Sequence, residues 1–200
     1  MSSNYKNTKL SAFENDDLNR AVKVLREGGV ILYPTDTVWG IGCDASNPEA
    51  VAKIYNIKKR NEAKAMITLV SDLGMLERTV SGIPDVAYDL IEFSDKPLTI
   101  IYDKGMNVAH NLSASDGSLA VRLTQAPFAA SLCSRLGRPV VSTSANCSGE
   151  PTPRNFSEIS DEIKNQVDYV CLTCQNDSTL HLASTIMKLG EDGSFKIIRQ

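Results

Sequence analysis

The sequence predicts an α/β fold built on a mixed-direction β-sheet with flanking helices. Two observations carry this. Short runs rich in β-branched residues alternate with helix-like periodicity along most of the 200 residues. The chain then closes on a hairpin pattern, "STIMKL" and "FKIIR" around Glu191-Asp192-Gly193, so not every strand runs the same way. No internal repeat and no low-complexity linker divides the chain, and its length suits a single domain spanning 1–200.

Taken in order, residues 1–12 are polar and read as a loose arm or an edge strand. Asp16 or Asp17 opens a helix whose apolar face carries Leu18, Ala21, Val22 and Leu25, and Gly28-Gly29 closes it. Val30–Pro34 reads as a buried strand, and 35–45, with Gly40 and Gly42, as a loop. Asn47-Pro48-Glu49 is a strong helix start, with a capping residue, proline at the first helical position and an acid in the first turn. That helix runs out into Lys58-Lys59-Arg60. Ala65–Val70 is the next strand, followed by short helices at Leu73–Thr79 and Pro84–Phe93. Pro97–Tyr102 and Leu119–Leu123 read as strands, Pro127–Leu136 as a helix ended by Gly137, and Pro139–Ser142 as a strand. A helix over Phe156–Asn165 and a strand at 167–172 precede the hairpin.

Composition narrows the function. With 42% hydrophobic residues the chain can build a substantial core. A net charge of −3 argues against a surface built wholly for nucleic acid, while leaving room for a local basic cavity. No apolar run reaches the roughly 18 residues of a membrane span, so no membrane role is expected. The polar N-terminus has no apolar signal region, and five irregularly spaced cysteines favour a reducing compartment, so a cytoplasmic location is expected.

Open α/β sheets bind ligands beyond their strand ends, which directs attention to polar residues just after strands. Four places stand out. Thr35-Asp36-Thr37 follows the first strand and reads equally as a polar turn or a binding loop. Trp39, the sole tryptophan, could line a pocket there or simply join the core. Lys58-Lys59-Arg60, with Lys64, suits either a solvated helix end or phosphate binding. Arg122 lies in an otherwise apolar strand, and a buried arginine demands a protein acid or an anionic ligand. Finally, "VVSTSANCSGEP" places Ser142, Ser144 and Asn146 at a spacing of two, on one side if the strand continues.

Several chemistries drop out. His110 and His181 have no motif around them, and no Ser-His-acid or Cys-His arrangement is readable. Cys171-x-x-Cys174 is a single pair without companions, so a metal site is not expected. Gly40 and Gly42 lack the Gly-Lys-Ser/Thr ending of a P-loop.

"YPTDTVWGIGCDA", "IYNIKKR", "PLTIIY", "LAVRL" and "STSANCSGEPTP", in this order and spacing, resemble the YrdC-like family, in its short form without an extra C-terminal domain. The resemblance extends from about Asp16 to Arg199. It implies a twisted mixed β-sheet with flanking helices around a large open cavity. It also implies a nucleotidyltransferase that makes threonylcarbamoyl adenylate and pyrophosphate from L-threonine, bicarbonate and ATP, with Mg²⁺, for threonylcarbamoyl-adenosine modification of tRNA. Hand-over of the product to a threonylcarbamoyl-transferase follows from that role. By the same resemblance Thr35, Thr37, Arg122, Ser142 and Ser184 serve L-threonine, Thr35 by supporting the loop. Lys58 and Arg60 form the Lys-x-Arg motif and act in catalysis. Arg60, Lys64, Ser118, Ser144, Asn146, Thr152 and Arg199 serve ATP.

The sequence departs from the family pattern at Ser94-Asp95-Lys96, at Asn61, at Leu69, and near 173–175, where a glycine-rich loop is absent. Two other readings stay open: a module that grips tRNA or double-stranded RNA without chemistry, and a paralogue that acts on another carbamate. The hydroxyl and amide set favours the enzyme, since backbone binding does not need it.

Overall fold

The computed structural model describes residues 9–59, 66–177, 179 and 183–199. Helix α1 spans Ala12–Arg26 and starts earlier than the sequence reading placed it. Ser11 caps it by accepting the Glu14 N–H, while the Glu14 carboxylate accepts the Ser11 N–H, a reciprocal capping box. The chain then forms β1 (Ile31–Tyr33), β2 (Gly40–Gly42), α2 (Pro48–Ile57), β3 (Ile67–Val70) and α3 (Leu73–Thr79). After a two-residue strand β4 (Val80–Ser81) come α4 (Asp85–Phe93), β5 (Leu98–Tyr102), β6 (Lys104–Gly105), β7 (Leu119–Leu123), α5 (Pro127–Leu136) and β8 (Val140–Ser144). The chain ends with α6 (Asp161–Lys164), β9 (Tyr169–Val170), β10 (Thr185–Leu189) and β11 (Phe195–Arg199).

Two further expectations are corrected. Residues 40–42 form strand β2 rather than loop, because glycine lets the backbone pass beneath a tyrosine ring. The helix expected over 156–165 breaks into a 3₁₀ turn, Phe156–Glu158, and the short α6. Ser160 causes the break: it is extended, and its hydroxyl caps α6 by accepting the Ile163 N–H at 3.4 Å.

The main sheet has nine strands in the order β11-β10-β5-β7-β3-β8-β2-β1-β9, and β4 and β6 form a separate pair. Its direction is mixed: β3–β7, β5–β10 and β1–β9 are parallel, while β1–β2, β2–β8, β3–β8, β5–β7 and β10–β11 are antiparallel. Helix α5 packs on β3 and on α1, and α3 packs on β3 and β7.

Register decides which residues share a face. Ser142 pairs with Ile67, and Ile67 with Ala120, two positions before Arg122. Gly40 pairs with Ser144. Gly40, Ser144, Ser142, Ile67 and Arg122 therefore project to the same side of the sheet.

Candidate functional site

That face carries a cavity of about 210 Å³. Thr37, Arg122, Ser142, Ser144, Ser184 and Arg199 line it, together with Thr152. These residues come from the loop after β1, from β7, β8 and the segment that follows it, and from β10 and β11. The fold thus gathers side chains spread over more than 160 sequence positions, Thr37 to Arg199.

The loop after β1 is stiffened internally. The Thr35 hydroxyl donates to Val38 O at 2.7 Å, accepts the Thr37 N–H at 3.1 Å, and lies 3.0 Å from the Thr37 hydroxyl. Thr35 supports the loop from outside the cavity, while Thr37 is buried against it. Beneath the loop, the Tyr33 ring lies across β2. A Cβ on Gly42 would come 2.5 Å from Val141 O and 2.6 Å from the Tyr33 ring. One on Gly40 would come 3.0 Å from Ser142 Oγ. The Tyr33 hydroxyl donates to Val141 O at 3.3 Å. Burial pushes this phenol well above its ordinary value, with the Ser142 hydroxyl working weakly against that, so it stays a neutral donor.

Arg122 is 2% exposed, and its Nη2 lies 3.1 Å from Asp36 Oδ1. The acid foreseen as one partner for a buried arginine is therefore the central residue of Thr35-Asp36-Thr37. Ser184, at the N-terminal edge of β10, is also buried, and its hydroxyl meets that of Thr99 at 2.9 Å. Arg199 donates from Nε (3.2 Å) and Nη2 (2.9 Å) to Ser184 O, which ties the last strand to the cavity wall.

Beyond β8 the Ser144 hydroxyl donates to Asn146 Oδ1 at 2.5 Å, and the Asn146 amide donates to Glu150 O at 2.7 Å. Asn146 faces a neighbouring depression, and Thr152 borders both that depression and the cavity. The spacing of two thus brings Ser142 and Ser144 together in one cavity, while Asn146 turns to the adjoining one.

Lys58 departs most from expectation. It caps α2, is 1% exposed and does not line the cavity. Its ammonium donates to Ser144 O, to Asn146 O at 2.6 Å and to Asn146 Oδ1 at 3.4 Å. Its own carbonyl accepts the Ser148 N–H at 2.9 Å. A buried ammonium is tolerable only when surrounded by acceptors, and here the acceptors are the backbone of the Ser-x-Asn loop. Lys58 therefore holds that loop from behind.

The structure does not bring Ser118 to the cavity: its hydroxyl donates to Asp116 at 2.6 Å, in the turn before β7. Arg60 and Lys64 lie outside the described residues. Sequence reasoning assigned no role to Tyr33 or to Asp36. The signal for Tyr33 was the Gly40-x-Gly42 alternation, which reveals a missing face only once β1 and β2 are paired.

Trp39 forms part of the cavity wall and stacks at a tilt on Phe156, with centroids 4.8 Å apart. A separate, larger cavity of about 410 Å³ borders the same loop at Thr35 and Asp36. Ser94, Asp95, Lys96, Thr173 and Cys174 lie on that second cavity, so both loop segments that depart from the family pattern border it, while Leu69 pairs with Arg122 beside the first.

A family model for the Sua5/YciO/YrdC domain, described as "Telomere recombination", matches residues 23–200. Threonylcarbamoyl-AMP synthase of Cellvibrio japonicus is 34% identical over 157 residues, covering 78% of this chain and 83% of that protein. E. coli YciO superposes with a TM-score of 0.76 at 27% identity, over 92% of this chain and 88% of its own. A double variant of P. abyssi Sua5 superposes at 0.78 with 26% identity, over 88% of this chain and 54% of its own. The chain thus spans about half the length of Sua5. Sua5 in complex with L-threonine also superposes at 0.78, with 24% identity, and shares the fold.

Proposed function

The chain belongs to the Sua5/YciO/YrdC family, and from that membership and the cavity we propose that it is a threonylcarbamoyl-AMP synthase. L-threonine, bicarbonate and ATP give threonylcarbamoyl-AMP, pyrophosphate and water. The observation that carries the reading is the single cavity in which a buried arginine meets a row of hydroxyls and a second arginine.

The threonine amine and bicarbonate condense to N-carboxy-threonine. Its carboxylate attacks the α-phosphate of ATP, and the bond to the pyrophosphate leaving group breaks. Neither step needs a protein nucleophile; both need two ligands held in contact and charge stabilised where it builds up. Arg122 faces the threonine carboxylate, with Thr37, Ser142 and Ser184 around it. Ser144, Thr152 and Arg199 contact the nucleotide, and Asn146, braced by Lys58, shapes that end. Arg60 and Lys64 remain assigned to the phosphates by the family motif. Among the described residues no cluster of His, Cys, Asp or Glu could hold a metal ion. Mg²⁺ would enter with the triphosphate and offset its charge.

We place the reaction in the cytoplasm and the product's use in tRNA modification, with hand-over to a threonylcarbamoyl-transferase. Five free cysteines suit a reducing compartment, and no helix among the described residues is long and apolar enough to cross a membrane. The test is pyrophosphate release. It should require threonine, bicarbonate and ATP together; release independent of threonine would refute the assignment.

A further inference from the structure

We propose that Asp36 sets the specificity of the amino-acid end of the cavity: it holds Arg122 in place and, through its own charge, keeps phosphate away from it. The proposal rests on the reading that the cavity takes an amino-acid carboxylate beside a polyphosphate.

The problem follows from that pairing of ligands. Both present anionic oxygens, and an unshielded buried guanidinium would accept either, since its donor fork matches carboxylate and phosphate alike. Selectivity then needs a repulsive element as well as an attractive one. Asp36 supplies it. Its Oδ1 lies 3.1 Å from Arg122 Nη2, so the guanidinium meets incoming ligands already partly neutralised.

The pair is also incomplete. Arg122 Nε is buried with no hydrogen-bond partner, and Asp36 Oδ1, although close, closes no hydrogen bond with the fork. The protein therefore supplies Arg122 with a counter-charge but leaves donor capacity unmet. A singly charged carboxylate can use that capacity. A phosphate brings more charge toward Asp36 and is opposed.

Asp36 is fixed well enough for this role. Its flanking threonines are locked to each other and to Val38 O, and its Oδ2 accepts the Gln125 N–H at 3.4 Å, just past the end of β7. It spans from the β1 loop to the strand that carries Arg122. It lines the second cavity and not the first, so it acts on the amino-acid end through Arg122.

The experiment compares the wild-type chain with Asp36→Asn and Asp36→Glu, using inorganic phosphate as the competing anion. In Asp36→Asn, phosphate should become a competitive inhibitor against threonine. The ratio of its inhibition constant to the threonine KM should fall about tenfold or more, with the ATP KM unchanged. Asp36→Glu keeps the charge and should keep phosphate out even if its longer side chain raises the threonine KM. An Asn variant with an unaltered ratio overturns the proposal, as does one in which threonine and ATP KM rise together. If the wild type shows no threonine-dependent turnover, the functional reading fails, and melting curves then decide the anion claim separately. Phosphate should raise the Tm of Asp36→Asn more than that of the wild type or Asp36→Glu; equal shifts in all three overturn it. Should Asp36→Asn not fold, a Glu variant inhibited by phosphate competitively with threonine refutes the charge argument, and one that stays insensitive supports it.

Discussion

Lys58 shows how a residue can belong to a site without facing it. Its ammonium and its carbonyl both bind the 144–148 segment, so the Ser-x-Asn loop is fastened at two points to the end of α2. Replacing Lys58 by Met keeps the volume and removes the donor: Asn146 O loses the ammonium, and Ser144 O retains the Asn146 N–H but loses the charged partner. We expect a loss of about 2 kcal/mol of stability and, because Ser144 and Asn146 shift, about a hundredfold loss of turnover. Urea unfolding and pyrophosphate release check the two effects; unchanged turnover would remove Lys58 from the positioning role. At this scale the sequence was readable where chemistry is local: Ser142 and Ser144 follow from strand period alone. The direction of the Lys58 side chain was not readable, because its acceptors lie 86 and 88 positions away. Tyr33 was hidden for a similar reason, since its place depends on glycines in a strand that β1 must first pair with.

Among the elements, α1 has a second role besides packing on α5. Asp17, 2% exposed on that helix, accepts the Tyr169 hydroxyl at 2.6 Å, the Leu172 N–H at 3.0 Å, and both the N–H (2.8 Å) and hydroxyl (2.6 Å) of Thr173. Burial alone would raise this carboxyl, but the hydrogen bonds outweigh it and hold the group below its ordinary value. Such a depressed group stabilises the fold fully above the ordinary aspartate pKa, and the contribution is lost as pH falls through the lower folded value. Asp17→Asn should therefore cost about 2 to 4 kcal/mol near neutral pH. The gap to wild type should close in acid; a gap that stays constant with pH would show the effect to be packing rather than charge. Element types were legible from periodicity and caps, as Asn47-Pro48 shows by opening α2 where expected. Boundaries slipped where one cap outcompeted another pattern: Ser11 with Glu14 moved the start of α1 forward, and Ser160 cut the helix expected over 156–165.

On the scale of the whole molecule, alternation of strands and helices indicated a mixed sheet but not its order. The order brings β7, β8 and β10 to one face, and it depends on non-local pairing that no local pattern specifies. The consequence is a cavity whose wall closes only when distant segments meet, with Trp39 set into it against Phe156. Because the chain has one tryptophan, its emission comes from a single known place. The protein is thus its own optical probe: without any dye, an indole at the ligand boundary reports what enters. Adding L-threonine or ATP should shift the intensity or wavelength of that emission saturably, and the shift should vanish in Trp39→Phe. A ligand that raises the Tm yet leaves the emission unchanged binds elsewhere. Read in stopped flow, the same signal would show which substrate enters first.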